Sequence, residues 1–391
     1  MALAAAIAAT GMVAGPAAGA TRHATSAPAH RVAAAPAHRV AAAPAHRVAT
    51  TTSPHYPVGT ELQGFESEFT DPTGMPPGIT NGPCTPSPAH PYPVVLVHGT
   101  FANENFTWQA LAPMLANAGY CVFGLNYGAT SWTTDGGDHS YAIADIAVSA
   151  GQLADFVSKV LAWTTEPTGG HATQVEMVGH SQGGMMPRYF IEHGWDCSAP
   201  VTDAYGTACR QDDALGVALG AAEVHMLVGM APSNHGADAY GLVPVFEKLF
   251  GSNTWTFPES AGCGSCGEQE AGSPFLRALN TPSEVRPGVL YYVLETADDE
   301  IVTPAPNALA ALTHAWPSAF LHQAPGTAPG TQVRNVVLQS QCPTDATDHV
   351  GIVYDPNALA DVMAALADNG SVTTPLPRPH CAAVVTPLVS G

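Results

Sequence analysis

The chain has 391 residues, 46% of them hydrophobic and only 11% charged, which is ample for a buried core. Acidic residues number 32 against 12 basic ones, leaving a formal charge of -20. That balance excludes nucleic acid and an anionic membrane as the main partner and suits an enzyme that approaches neutral substrates.

Met1 to Ala20 is almost wholly small and apolar, and Ala18-Gly19-Ala20 has the form of a signal-peptidase site. No Lys or Arg precedes Arg22, so the basic leader of an ordinary signal peptide is missing. Export is still the expectation for 1–20, with an Ala-rich tail as the alternative. Residues 27–50 repeat Ala-Pro-Ala-His-Arg-Val-Ala, with prolines at Pro28, Pro36 and Pro44. Proline breaks helix and strand, so 21–92 reads as a linker and then a coil along the domain, tied down at Cys84. His30, His38 and His46 read as a by-product of the repeat rather than a metal site.

Eight cysteines are present: Cys84, Cys121, Cys197, Cys209, Cys263, Cys266, Cys342 and Cys381. An even count at wide spacing points to as many as four disulfides and an oxidising compartment, hence a secreted protein. Sequence leaves the connectivity open. Pairing neighbours (84 with 121, 197 with 209, 263 with 266, 342 with 381) is the working hypothesis, because each bond would clip one surface excursion. Cys263-Gly264-Ser265-Cys266 lacks a second CxxC, which favours a structural clip over a redox or metal motif. No later apolar run has the length a bilayer demands, so no integral membrane contact is expected, and the chain is expected to act as a monomer.

The catalytic domain is expected over 93–391. Val94-Val95-Leu96-Val97 is a short continuous apolar run of the kind buried on both faces of a parallel sheet. His98-Gly99-Thr100 follows it, then a helix over Trp108 to Ala118 with Leu111, Leu115 and Ala118 on one side, then a strand over Cys121 to Tyr127. Strand, helix, strand with short connections is one right-handed crossover unit. A polar loop around Trp132 leads to a long helix over Ile143 to Ala162. Val175 to His180 is the next strand and Met185 to Glu192 the helix after it. Residues 194–213 read as an insertion. Further strands are expected at Val224–Met230, Gly288–Leu294 and Val333–Leu338, and a closing helix over Pro356–Ala367. Between them, 240–280 is irregular, with an apolar cluster from Leu242 to Phe257. A cap or lid over an acyl pocket and an ordinary packed helix fit that cluster equally well.

Gly179-His180-Ser181-Gln182-Gly183 is a G-x-S-x-G pentapeptide between a strand and a helix, the setting of a nucleophile elbow. A serine hydroxyl needs an imidazole to remove its proton, and the imidazole needs a carboxylate to fix its tautomer. Downstream of Ser181, acids cluster after a strand at Asp298, Asp299 and Glu300, and His349 follows in a loop. The order Ser, acid, His fits an α/β-hydrolase, and each candidate lies past the carboxyl end of a strand. Pattern alone does not choose among the three acids. His180 faces elsewhere along the turn and reads as a packing residue. Gly99-Thr100 is the loop that would donate a second oxyanion N–H beside that of Gln182, with the Thr100 hydroxyl as a third donor.

Taken in series, these stretches resemble the class 2 lipase family of α/β-hydrolases. The likeness runs from Pro93 to Ala367. It rests on His98-Gly99-Thr100 with Trp108, Gly179 to Gly184, Pro232-Ser233-Asn234-His235-Gly236, Gly272-Ser273-Pro274-Phe275-Leu276, Asp299-Glu300-Ile301-Val302 and Asp348-His349. The resemblance implies a mostly parallel sheet flanked by helices. It implies Ser181 as nucleophile, Asp299 as the acid, His349 as the base, and Thr100 and Gln182 as oxyanion donors. It also implies hydrolysis of acylglycerols or other acyl esters, at an oil–water interface or in solution, with no cofactor and no catalytic metal. Polyester depolymerases, thioesterases and acyltransferases on the same fold are the alternatives.

Overall fold

The computed structural model describes residues 55–135, 140–215, 218–237, 262–326, 332–368 and 381. The strands in chain order are β1 (Val94–Val97), β2 (Val122–Leu125), β3 (Val175–His180), β4 (Trp195–Asp203), β5 (Gly206–Gln211), β6 (Val224–Met230), β7 (Leu290–Glu295) and β8 (Val333–Val337). Six of them form one sheet in the order β2-β1-β3-β6-β7-β8, parallel at every pairing. β4 and β5 form a separate antiparallel hairpin.

Alternation of side chains along each strand explains why the runs are apolar throughout. Val95, Val97, Met177, Leu227, Tyr291 and Val293 enter one core, where Leu153, Val157, Met185 and Phe190 of the helices Ile146–Trp163 and Gln182–Glu192 meet them. Val94, Leu96, Val178, Met226, Val228 and Leu294 enter the other. Leu111, Leu115, Leu359 and Val362 of the helices Leu111–Asn117 and Pro356–Ala367 cover that face. A parallel sheet with helices on both faces is the α/β-hydrolase fold expected from the sequence.

The four disulfides are Cys84–Cys121, Cys197–Cys209, Cys263–Cys266 and Cys342–Cys381, the neighbour pairing. No helix among the described residues is long and apolar enough to cross a membrane. The apolar cluster from Leu242 to Phe257 and the repeat at 27–50 lie outside the described residues.

Two expectations need correction. The stretch expected as coil before Pro93 contains the helix Glu61–Thr70, opened by a Thr60–Gln63 capping box and packed through Phe65 on Phe106 at 5.0 Å between ring centroids. The helix expected over Trp108 to Ala118 is shorter, Leu111–Asn117, a separate turn of helix at Glu104–Thr107 precedes it, and Ala118 is exposed. The stretch read as an insertion, 194–213, holds the β4–β5 hairpin, separate from the main sheet, which stands on the helix Ile146–Trp163. A Cβ on Gly151 would meet the Cys209 carbonyl oxygen at 2.8 Å, so the helix needs glycine to admit the hairpin.

Candidate active site

Because the sheet is parallel, β1, β3, β6 and β7 end on the same edge, and the candidate residues leave from those ends. Ser181 follows β3 directly. Its φ of 55° and ψ of −122° lie outside the regions an L-residue prefers, the strained turn that a strand-to-helix elbow requires. The flanking glycines are there for space. A Cβ on Gly179 would meet the Gly183 carbonyl oxygen at 1.8 Å, and one on Gly183 would meet the Val97 oxygen at 2.1 Å. Backbone bonds hold the turn to its neighbour: the Ser181 N–H donates to the Met230 carbonyl (3.0 Å), and the Ser233 N–H donates to the Ser181 carbonyl (3.3 Å).

Asp299 and His349 come together although 50 residues separate them. His349 Nδ1 stands 2.8 Å from Asp299 Oδ2, and both side chains are buried. Asp299 Oδ1 accepts the N–H groups of Ile301 (2.8 Å) and Val302 (2.7 Å). Burial would raise the Asp299 pKa, but the His349 charge and these hydrogen bonds hold it below the usual carboxylate value. An ionised Asp299 accepts only, so His349 Nδ1 carries the proton and Nε2 is left as the basic nitrogen. For His349 itself, burial disfavours the imidazolium, yet the Asp299 carboxylate outweighs it and the pKa lies above the ordinary histidine value.

The two loops are pinned to each other. Thr296 Oγ1 donates to the Thr347 carbonyl (2.7 Å), Gln339 bridges Ala297 N–H and Thr296 Oγ1 (2.8 Å each), and Glu300 Oε2 accepts the His349 N–H (3.2 Å). His180 ties this assembly to the elbow. Its Nε2 donates to the His349 carbonyl (2.9 Å), and the two rings stand 4.8 Å apart. Burial, then the charge of His349, pushes His180 down to about 3, so it stays neutral. Of the other two acids weighed, Glu300 meets the His349 backbone and Asp298 accepts no bond from the imidazole Nδ1, which Asp299 takes.

Gly99 lets the β1 loop close on the elbow: a Cβ there would meet Ser181 Cβ and His180 Nδ1 at 3.1 Å. Thr100 and Gln182 are joined, since Thr100 Oγ1 donates to Gln182 Oε1 at 2.6 Å. The Thr100 hydroxyl proton is therefore committed to Gln182 rather than offered as a third oxyanion donor. Gln182 is the first residue of its helix, where the N–H has no acceptor in a preceding turn.

Two residues at the site escaped the sequence reading. Gln269 Nε2 donates to Thr100 Oγ1 (2.9 Å) and Gln182 Oε1 (2.8 Å), while its Oε1 accepts from Ser233 Oγ (2.9 Å). It reaches that position from the helix Gly264–Glu268, behind the Cys263–Cys266 clip. Glu295, the last residue of β7, is fully buried beside Asp299. Burial first, and Asp299 second, push its carboxyl well above the usual range, so it is a neutral acid hydrogen-bonded to Asp299. Neither carries a motif; the acidic end of β7 was the only available signal for Glu295.

Among solved structures the chain is similar to lipase B of Aspergillus fumigatus, at 18% identity over 76% of this chain and 56% of that one, with a TM-score of 0.49. It is also similar to mature lipase BlEst2 of Bacillus licheniformis, at 12% identity over 72% and 94% of the two chains, with a TM-score of 0.41. Esterase B of Lactobacillus rhamnosis inhibited by a tributyrin phosphonate matches at 12% identity over 74% and 79%, with a TM-score of 0.39. The chain thus spans just over half the length of the Aspergillus lipase. Residues 91–317, more than half of this chain, match the class 2 lipase family, and the chain belongs to that family.

Proposed function

We propose that the chain hydrolyses acylglycerols or other acyl esters through an acyl-enzyme on Ser181, with His349 as base, Asp299 as its orienting carboxylate and the N–H groups of Thr100 and Gln182 as the oxyanion hole. The observation that carries this reading is the 2.8 Å Asp299–His349 bond held against the Ser181 elbow through His180. His349 Nε2 takes the Ser181 proton as the oxygen attacks the ester carbonyl. The two N–H groups meet the oxyanion, where losing one donor typically costs about 3 kcal/mol. His349 then returns the proton to the leaving alcohol, and water activated by the same nitrogen releases the acid. Gln269 fixes the side chains of both hole residues and so sets their backbones. Phe101, next to Thr100, turns its ring towards Trp132 (6.2 Å) near Ile143 and the Cys263–Cys266 disulfide, an apolar wall suited to an acyl chain.

The four disulfides support secretion, and the protein is proposed to act as an exported monomer on ester substrates at or near an oil–water interface. The test is Ser181→Ala together with an alkyl phosphonate ester. Wild type is expected to be labelled at Ser181, and the variant to lose turnover by roughly a million-fold while keeping its fold. Esterase activity retained in the variant would refute the assignment. A series of short and long acyl esters, run beside a thioester and a solid polyester, fixes the substrate class.

A further inference from the structure

A second group of polar side chains lies outside the acyl-transfer path. His235 comes from the loop after β6, Glu284 from the segment before β7, and His322 from the segment before β8. Among the described residues these three form a set that could hold a metal ion, one ligand atom from each lying within 4.8 Å of the others. His235 Nε2 stands 3.1 Å from Glu284 Oε1, and His322 Nδ1 stands 2.7 Å from the same oxygen. Glu284 Oε2 accepts the His322 backbone N–H at 2.5 Å.

The proton arrangement is what makes this group more than a chance contact. His235 Nδ1 faces the Ser318 carbonyl at 3.1 Å, and a carbonyl only accepts. Nδ1 therefore holds a proton, and Nε2 is the ring nitrogen directed at Glu284. A ring whose Nδ1–H is anchored on a backbone carbonyl while Nε2 faces a carboxylate is also the arrangement of a metal-bound histidine. Two imidazoles and one carboxylate are a donor set for zinc rather than for calcium, which takes oxygens. Two ligand atoms on one tetrahedral zinc stand about 3.3 Å apart, given bonds of about 2.0 Å. The observed spacings need only a small swing of His322, whose side chain is 55% exposed. Its outer side is open to water, which can complete the coordination.

We propose that His235, Glu284 and His322 bind one divalent ion of the zinc class. The ion cross-links three segments distant in the chain, and one of them touches the elbow: Ser233, two residues before His235, donates its N–H to the Ser181 carbonyl and its hydroxyl to Gln269. The role is structural, distinct from the ester hydrolysis proposed above.

The test uses the full chain carrying His30→Ala, His38→Ala and His46→Ala, so that the repeat contributes no ligands. The protein is stripped with a chelator, loaded with zinc chloride, freed of excess by gel filtration and analysed for zinc. One ion per chain, with a higher Tm than the stripped form, is the expected result. His322→Ala alters a half-exposed side chain and leaves the fold intact. It should weaken zinc binding by more than about tenfold and abolish the Tm shift, as should Glu284→Gln. Ser181→Ala should bind zinc as the parent does, and cobalt(II) should give the visible absorption of a four- or five-coordinate site. Zinc that fails to survive gel filtration, that is held equally well by His322→Ala, or that is lost in Ser181→Ala overturns the proposal.

Discussion

His349 is under two opposing pressures. Burial disfavours its charged form, while the Asp299 carboxylate favours it more strongly, and the pKa ends above the ordinary value. As the proposed general base, His349 must be neutral to take the serine proton, so activity is expected to rise with pH through its pKa. The acid limb of kcat/KM is expected to centre above about 6.5; a midpoint below that in the pH–rate profile would mean that burial dominates. Stability runs the other way for this residue. A folded pKa above the unfolded one contributes fully at low pH and loses its contribution as pH rises through the folded value. Glu295 adds to the same trend. Its folded carboxyl stays protonated where the unfolded one ionises, so its presence destabilises the fold progressively above about pH 4.5. Glu295→Gln keeps a neutral donor beside Asp299 and removes that penalty. The variant should match wild type near pH 4 in urea titrations and exceed it at neutral pH, with the gap widening by at most about 1.4 kcal/mol per pH unit. A constant offset at every pH would show that Glu295 does not hold its proton.

Elements were legible in the sequence where burial alone decides them. β1 (Val94–Val97), β6 (Val224–Met230) and the helix Pro356–Ala367 stand at their expected bounds, because each is an apolar run or stripe with a turn signal at its edge. The helix Glu61–Thr70 was not legible: Leu62 and Phe69 face solvent, and order comes from a cap and one ring contact. The β4–β5 hairpin was hidden for the same reason. Its strands are mostly exposed and polar, and its register is set by Cys197–Cys209 and by the helix beneath it. At the site, Ser181 and His349 were legible from motif and from their places past strand ends, and Asp299 was separated from Asp298 and Glu300 only by the family resemblance, whereas Gln269 acquires its partners only once three loops meet. The disulfides give a measurable order at this scale. Cys84–Cys121 closes 37 residues and Cys197–Cys209 closes 12. Loop-closure entropy then assigns about 4 kcal/mol to the first and about 3 kcal/mol to the second. Replacing each pair by serine and titrating with urea should reproduce that order. A larger loss from the hairpin pair would mean that the hairpin braces the helix Ile146–Trp163 beyond its entropic share.

Charge acts on the molecule as a whole. Arg22, Arg31, Arg39 and Arg47 are four of the 12 basic residues, and no acidic residue precedes residue 51, so every acid falls within 51–391. Lys159–Asp155, Arg210–Asp196 and Arg286–Glu192 neutralise some of it locally. The remaining field is negative and reaches a substrate surface before any side chain does. It leaves a neutral ester droplet unaffected and repels an anionic one. Hydrolysis of a neutral triacylglycerol emulsion should therefore be faster than hydrolysis of the same emulsion doped with anionic phospholipid when salt is low. The difference should close as the screening length falls from about 30 Å at ~0.01 M to about 3 Å at ~1 M. The opposite ranking, with anionic droplets hydrolysed faster at low salt, would mean that the arginines of the repeat dock the enzyme and that its acidic surface does not govern approach.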